Sequence, residues 1–291
     1  MTSSSFEQVL AGMRPRLHRY CARMTGSVVD GEDVVQEVMI KALAAQVAGP
    51  EIENVEGWLF RIAHNASLDF LRALARSNVV PLVDEGELAA IEADPDVASA
   101  SFRTFLELPV LQRCAVILKD VLGHSIEDVA NISNCSEAAA KSALQRGRQR
   151  LRELAAQGGG STRLPLLSDA ERQRLQTYIA AFRLGDFDSI RGMLAEDVRL
   201  DLPARMKLTG KKDVGVYYTR YAELPHWRFG LGAVDGKAAI LVFDSTGPMH
   251  KPAHFITLRW RDDKIIAIQD FVFAPYAMEA SDWVLLEELP G

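Results

Sequence analysis

The sequence predicts a multidomain chain: two all-α helical modules, the second a helix-turn-helix, followed by an α+β half. Apolar residues recur at helical spacing through the first half, with little that reads as strand. The stretch AAQGGGSTRLPLL, residues 155–167, then interrupts the pattern with three glycines, a Ser-Thr pair and a proline. After it come two helical segments and alternating runs such as AAILVFDS and HFITLRWRDDKIIAIQDFVF.

Composition narrows the class. The 291 residues suffice for two or more domains with their own cores. Hydrophobic residues are 48% and charged residues 25%, the profile of a soluble globular protein. No run approaches 18 uninterrupted apolar residues, and MTSSSFEQVLAGMRPRLHRY lacks the apolar core of a signal peptide, so the expected compartment is the cytoplasm. Cys21, Cys114 and Cys135 are odd in number and far apart, which encodes neither a disulfide framework nor a zinc site. No cofactor motif is present, and no metal-ligand spacing.

The expected domains are residues 1–76 (helical), 77–101 (an acidic linker), 102–155 (the helix-turn-helix), 156–167 (a Gly/Pro linker) and 168–291 (α+β). The acidic linker carries Asp84, Glu85, Glu87, Glu92, Asp94 and Asp96 with no basic residue and two prolines.

In the first module, DGEDVVQEVMIKAL predicts a helix over about 31–45. Val34, Val38 and Ala42 line its apolar face, leaving Asp33, Gln36, Glu37 and Lys41 facing out. Like charges at i and i+4 cost a few tenths of a kcal/mol, so folding alone does not demand Asp33 and Glu37 there. The next helix, within 54–77, has an apolar stripe of Trp58, Leu59, Ile62, Ala66 and Phe70, with Arg61, Asn65, Asp69, Arg72 and Arg76 opposite.

The second module begins with a helix over about 111–122 that stops at Gly123. Ser125 caps a short helix with Asp128 at its third position, and Asn134 stands where the chain turns sharply. Ser136 caps a third helix reaching about Leu154. Small residues at Ala130, Cys135, Ala140 and Ala143 permit the close crossing of a helix-turn-helix. The third helix carries Lys141, Arg146, Arg148, Arg150 and Arg152 against the acid Glu153, although the chain's net charge is -6. A solvated face with cations near the helix C-terminus is the bland alternative. Joined to the helix-turn-helix, the cations read as a phosphate-binding surface, with Arg146 and Arg148 on phosphates and the start of the helix at base edges.

These segments resemble the extracytoplasmic-function group of the sigma-70 family, over roughly residues 6–154. DGEDVVQEVMIKAL resembles the family's polymerase-binding helix, NVEGWLFRIAHNASLDFLRALAR its promoter-opening helix, and the region from Leu108 to Glu153 its C-terminal helix-turn-helix. The resemblance implies that Asp33, Gln36, Glu37 and Lys41 meet the clamp helices of the β′ subunit of core RNA polymerase. It implies that Arg61, Asn65, Asp69, Arg72 and Arg76, with the loop 51–56, hold the unpaired strand of the minus-ten element. It places Lys141, Ser142, Gln145, Arg146 and Arg148 on the minus-thirty-five duplex. The chain departs from the family pattern in ending the second motif with only Arg72 and Arg76, and in placing Ala138, Ala139 and Ala140 in the recognition helix.

In the last half, expected helices run over about 168–184, 187–194 and 211–224. Strands follow in DVRLDLP, WRFGLGAVDG and KAAILVFDS, then a hairpin turning at Asp262 and Asp263. This order resembles the cone-shaped SnoaL-like branch of the nuclear-transport-factor-like superfamily, implying an internal pocket and, behind a sigma factor, a built-in regulator. Asp201, Tyr217, His254 and Asp270 are the candidate pocket residues, with a small apolar ligand as the candidate occupant. The alternative function is a SnoaL-like enzyme or small-ligand-binding protein carrying a sigma-derived scaffold. The tail, 275–291, reads as a short amphipathic helix that packs on its own domain.

Overall fold

The computed structural model describes residues 3–48, 52–77, 102–156, 164–165, 167–222, 227–247, 250–279 and 281–287. The acidic linker beyond Ser77 and most of the Gly/Pro linker lie outside the described residues. The chain divides into two units, Met1–Ser161 and Thr162–Gly291.

The first unit opens with α1 (Ser3–Thr25), α2 (Val28–Ala48) and α3 (Val55–Ser77). The α1–α2 crossing is close because Gly31 has no side chain: a Cβ there would lie 2.6 Å from backbone atoms of Ala22. The second module follows with α4 (Phe102–Leu106) and α5 (Val110–Val116), which runs into a π-helical turn at Ile117–Val121. Next come α6 (Ile126–Ser133) and α7 (Glu137–Ala156). Ser125 caps α6 in a reciprocal box with Asp128, and Asn134 takes the left-handed conformation at φ 53° and ψ 48°. The Ser136 hydroxyl accepts a bond from the Ala139 amide at 3.2 Å at the start of α7. Gly147 lets α7 approach α5, since a Cβ there would sit 2.7 Å from Val116 Cγ2.

The two helical modules share one core. Tyr20, Met24, Leu59 and Phe60 of the first pack into the same apolar cluster as Phe105, Cys114, Val116 and Val129 of the second. Ala130, Ala140 and Ala143 are buried in it, where small side chains allow the helices to cross closely.

The second unit sets helices against a sheet. Helix α8 (Asp169–Leu184) is capped by a Ser168–Glu171 box and ends at Gly185, whose φ is 68°. Then come α9 (Phe187–Met193), β1 (Leu194–Leu202), β2 (Met206–Thr209) and α10 (Lys211–Ala222). Strands β3 (Trp227–Val234), β4 (Lys237–Asp244), β5 (His254–Arg261) and β6 (Lys264–Asp270) form an antiparallel run. Asp262, at φ 54°, makes the β5–β6 turn. Among the described residues the sheet has the order β2-β1-β6-β5-β4-β3-β7, with β1 parallel to β6. This is the helices-then-sheet layout of the α+β domain read from the sequence. The tail departs from that reading. Only Tyr276–Glu279 is helical (α11), and Trp283–Leu285 is a strand, β7, bonded to β3. An open edge of β3 gives that segment's backbone a ladder, which outweighs its helical apolar spacing.

One face of the sheet packs on α8, α9 and α10 around Tyr178, Phe182, Val198, Tyr218, Leu231 and Ile256. No helix among the described residues is long and apolar enough to cross a membrane.

Candidate functional site

Helix α2 is pinned by its apolar side. Val34, Val35, Val38 and Ala42 are buried, and buried Glu32 pairs with Arg14 of α1. The opposite side presents Asp33, Glu37 and Lys41 to solvent, with Gln36 half-buried. Lys41 Nζ lies 2.5 Å from Glu37, which offsets part of the repulsion between the two acids. Sequence reasoning missed two neighbours: Ile40 is 67% exposed and Leu43 40% exposed. Both fall off the Val34–Val38–Ala42 stripe, which is the signal that would have found them. A patch mixing carboxylates with large exposed apolar side chains is suited to a protein partner.

Helix α3 buries Leu59, Phe60, Ala63 and Ala66 and exposes Arg61, Asn65, Asp69, Arg72 and Arg76. Arg72 Nη1 bonds Asp69 at 3.0 Å. Asn54 caps this helix through a 2.8 Å bond from the Gly57 amide, and Glu56 is engaged by Arg16 at 2.6 Å. Of the expected loop 51–56, Glu51 lies outside the described residues.

On α7, Lys141 is exposed beside Glu137 at 3.4 Å, while Ser142, Gln145 and Arg146 are half-buried. Arg150 is exposed and pairs with Glu153 at 3.4 Å. Arg148 corrects the sequence reading. It does not share the exposed surface: its side chain is 8% exposed and forks onto Asp120, with Nε 2.9 Å from Oδ2 and Nη2 2.6 Å from Oδ1. A guanidinium on this helix face meets a carboxylate from the π-helical turn, so it joins helices rather than facing outward.

The four pocket candidates separate into three and one. Tyr217 and Tyr221, one turn apart on α10, both donate to Asp270 Oδ2, the Tyr221 bond being 2.6 Å. His254 Nε2 lies 3.1 Å from the Tyr221 hydroxyl and 3.5 Å from Asp270 Oδ1, which also accepts from the Val272 amide at 3.0 Å. Asp270 and His254 are buried. Burial drives the His254 pKa down, against the pull of Asp270, and burial together with the Asp270 charge drives both tyrosines well up. The assembly can hold a proton among four groups. Tyr221 was missed, although its i+4 spacing from Tyr217 marks it. Asp201 is the correction: it alternates with buried Leu200 and Leu202, points to the other face of the sheet, and pairs with Lys207 at 3.0 Å. A surface hollow of about 320 Å³ in this unit is lined by Asp244, Lys251, Ala253, Pro275, Met278 and Glu279, and by none of the four candidates. Among the described residues no group of three or more His, Cys, Asp or Glu side chains is placed to hold a metal ion.

Two family models match the helical unit, Sigma-70 region 2 over residues 10–77 and Sigma-70, region 4 over residues 103–151. The chain is 33% identical over 150 residues to the ECF RNA polymerase sigma factor SigM of Mycobacterium tuberculosis, an alignment taking in 52% of this chain and 76% of the relative. The chain belongs to the ECF RNA polymerase sigma factors. As a sigma factor it binds core RNA polymerase and promoter DNA, and the two matched regions hold the carboxylate-bearing and cation-bearing surfaces just described. A second relative, the ECF sigma factor SigJ of the same species, is 28% identical over 210 residues, covering 68% of this sigma factor and 64% of the relative. The crystal structure of SigJ is 20% identical, covers 93% of this chain and 96% of that one, and superposes with a TM-score of 0.35.

Proposed function

We propose that this sigma factor docks on the β′ clamp helices of core polymerase through Asp33, Gln36, Glu37 and Lys41, with Ile40 and Leu43 as apolar anchors. Arg61, Asn65, Asp69, Arg72 and Arg76 hold the unpaired minus-ten strand, where cations meet the backbone and Asn65 meets a base. Lys141, Ser142, Gln145 and Arg146 read the minus-thirty-five duplex, and Arg148 acts through Asp120 to set the angle of α7. Residues 1–76 and 102–155 are the two promoter-binding domains on this reading, and 168–291 is a SnoaL-like domain that regulates them. The observation carrying it is the pattern of charge on the outward sides: Asp33 and Glu37 with apolar anchors on α2, Arg61, Arg72 and Arg76 against Asp69 on α3, and Lys141 with half-buried Arg146 on α7, all on helices whose other sides fill one core. The test is binding of the intact chain to promoter duplex across salt, comparing wild type with Lys141→Ala/Arg146→Ala. Weaker binding with a shallower salt dependence supports the assignment, and an unchanged salt slope refutes it.

A second reading is favoured by the Tyr217, Tyr221, His254 and Asp270 network. Four hydrogen-bonded titratable groups, two from α10 and two from β5 and β6, are an acid–base constellation, suited to a small ligand with a carbonyl or hydroxyl group. A panel of hydrophobic carbonyl compounds, assayed for binding and turnover by wild type and His254→Gln, tests it. Absence of both binding and turnover in the wild type removes the reading.

A further inference from the structure

We propose that the outer face of the second unit's sheet is a further DNA-binding surface, on which Arg199 and Arg259 grip duplex phosphates without reading the sequence. The inference adds a contact to the promoter assignments and rests on them only in that α7 holds a duplex within reach.

The register of three strands builds the surface. On β1, β6 and β5, Leu200, Ile268 and Leu258 point into the core that the helices cover. Side chains alternate along a strand, so Arg199, Ala267 and Arg259 stand together on the opposite face. Both arginines pair with Ala267, one from each side. With strands about 4.8 Å apart, their backbones lie about 10 Å apart across a trough floored by a methyl group. Further along the trough Thr257 faces Gln269, and Thr209 stands beside Arg199. Lys207 and Arg261 flank it, tied to acids of β1: Lys207 to Asp201 at 3.0 Å and Arg261 to Asp197 at 3.2 Å. Arg199 and Arg259 have no such tie. Both are exposed, and neither has a hydrogen-bond, ion-pair or ring partner among the described residues. Folding does not call for this pair, since like charges near one another on a sheet face repel.

The chemistry selects the partner. A protein interface buries large apolar or aromatic anchors, whereas the side chains between these cations are those of Ala267, Thr257 and Gln269. A phosphate backbone needs cations and small polar donors on an open surface, which this face supplies. Each guanidinium can fork onto two phosphate oxygens. Duplex carries one charge per about 1.7 Å of axis, so the span of about 10 Å meets about six phosphates. A flat sheet face does not enter a groove, so the contact carries no base readout. The tether keeps DNA near: residues 157–168 join α7 to α8 and span at most about 45 Å, about 13 base pairs of duplex. On a duplex that α7 already holds, this second contact forms at high effective concentration.

The test is binding of holoenzyme, assembled from purified core polymerase and the intact chain, to a promoter duplex that continues well upstream of the minus-thirty-five element, across salt. Arg199→Ala/Arg259→Ala should lower the slope of log affinity against log salt by about 2, near 0.9 for each lost phosphate contact. Arg199→Lys/Arg259→Lys should keep the wild-type slope, because each phosphate still meets a cation, and this conservative pair separates contact from folding. Lys212→Ala/Lys251→Ala, which removes two exposed charges elsewhere in the unit, should leave the slope unchanged. A wild-type slope in the arginine-to-alanine pair overturns the inference, as does an equal fall in the Lys212/Lys251 control. Loss of core-polymerase binding in the arginine-to-alanine pair would assign the face to protein and overturns it too. If Lys141→Ala/Arg146→Ala lowers the slope while Arg199→Ala/Arg259→Ala does not, the promoter assignments stand and this one falls. A wild-type holoenzyme that binds no promoter takes down both.

Discussion

Replacing Arg148 by alanine would strand the Asp120 carboxylate between α7 and the π-helical turn. The pair is bidentate, at 2.9 and 2.6 Å, and its side chains are 8% and 2% exposed. Removing one partner of a buried ion pair costs about 3–5 kcal/mol, because the remaining charge has lost both water and its counter-ion. By contrast, Lys141 and Glu137 are 61% and 55% exposed, and losing that pair costs about 0.5 kcal/mol or less. Urea unfolding of the helical transition should therefore show a midpoint lower by about 1.5 M for Arg148→Ala, taking a slope of about 2.5 kcal/mol/M, and nearly unmoved for Lys141→Ala. The apolar replacement Asp120→Leu/Arg148→Met should recover stability to within about 1 kcal/mol of wild type, since packing replaces the desolvated pair. That double variant should also keep its salt-dependent DNA binding. Arg148→Ala no more destabilising than Lys141→Ala would refute the structural role, and a double variant that folds but loses a phosphate contact's worth of salt slope would return Arg148 to the DNA surface.

Further expectations follow from the same geometry. Lys141→Ala/Arg146→Ala should reduce the slope of log affinity against log salt by about 2, near 0.9 for each lost phosphate contact, as read by fluorescence anisotropy. Glu37→Lys/Ile40→Glu should weaken binding to core polymerase about tenfold or more, about 1.4 kcal/mol, in a pull-down titration while duplex binding stays unchanged. Burial holds the His18 and His64 pKa values down at about 4, from 6.5. Between those values the unfolded chain binds more protons, so the helical unit keeps this stability above pH 6.5 and loses it as pH falls toward 4, by about 3 kcal/mol for each histidine. Urea midpoints across that window should drop less steeply in His18→Gln/His64→Gln, and an unaltered slope would contradict the assignment. Tyr221→Phe removes a donor from buried Asp270 and should cost about 1–3 kcal/mol in the second unit's unfolding transition, with no effect on DNA affinity.

What the sequence made legible was what is encoded locally. Ser125 with Asp128, Asn134, and Gly185 each act through a few neighbouring backbone bonds, so caps and turns could be placed from residue type alone. The exposed sides of α2 and α3 were equally legible, because period 3.6 fixes which side chains share a face. What escaped was decided by partners distant in sequence. Arg148 looked like its basic neighbours until Asp120, 28 residues earlier, claimed it. The segment Trp283–Leu285 has helical apolar spacing, yet the free edge of β3 takes it as a strand. The shared core of the two helical modules was hidden for the same reason. Tyr20, Phe60 and Cys114 read as ordinary interior residues of either module, and only the fold shows that they meet.

The central claim is that one helical surface docks on polymerase and others dock on promoter DNA. Run-off transcription with purified core polymerase, comparing the wild-type chain with Glu37→Lys/Ile40→Glu, tests it most directly. The account predicts a promoter-specific transcript with wild type and its loss in the variant, although the variant still binds promoter duplex. Equal transcription by the two proteins, or none from the wild type on any promoter of its own genome, would contradict it.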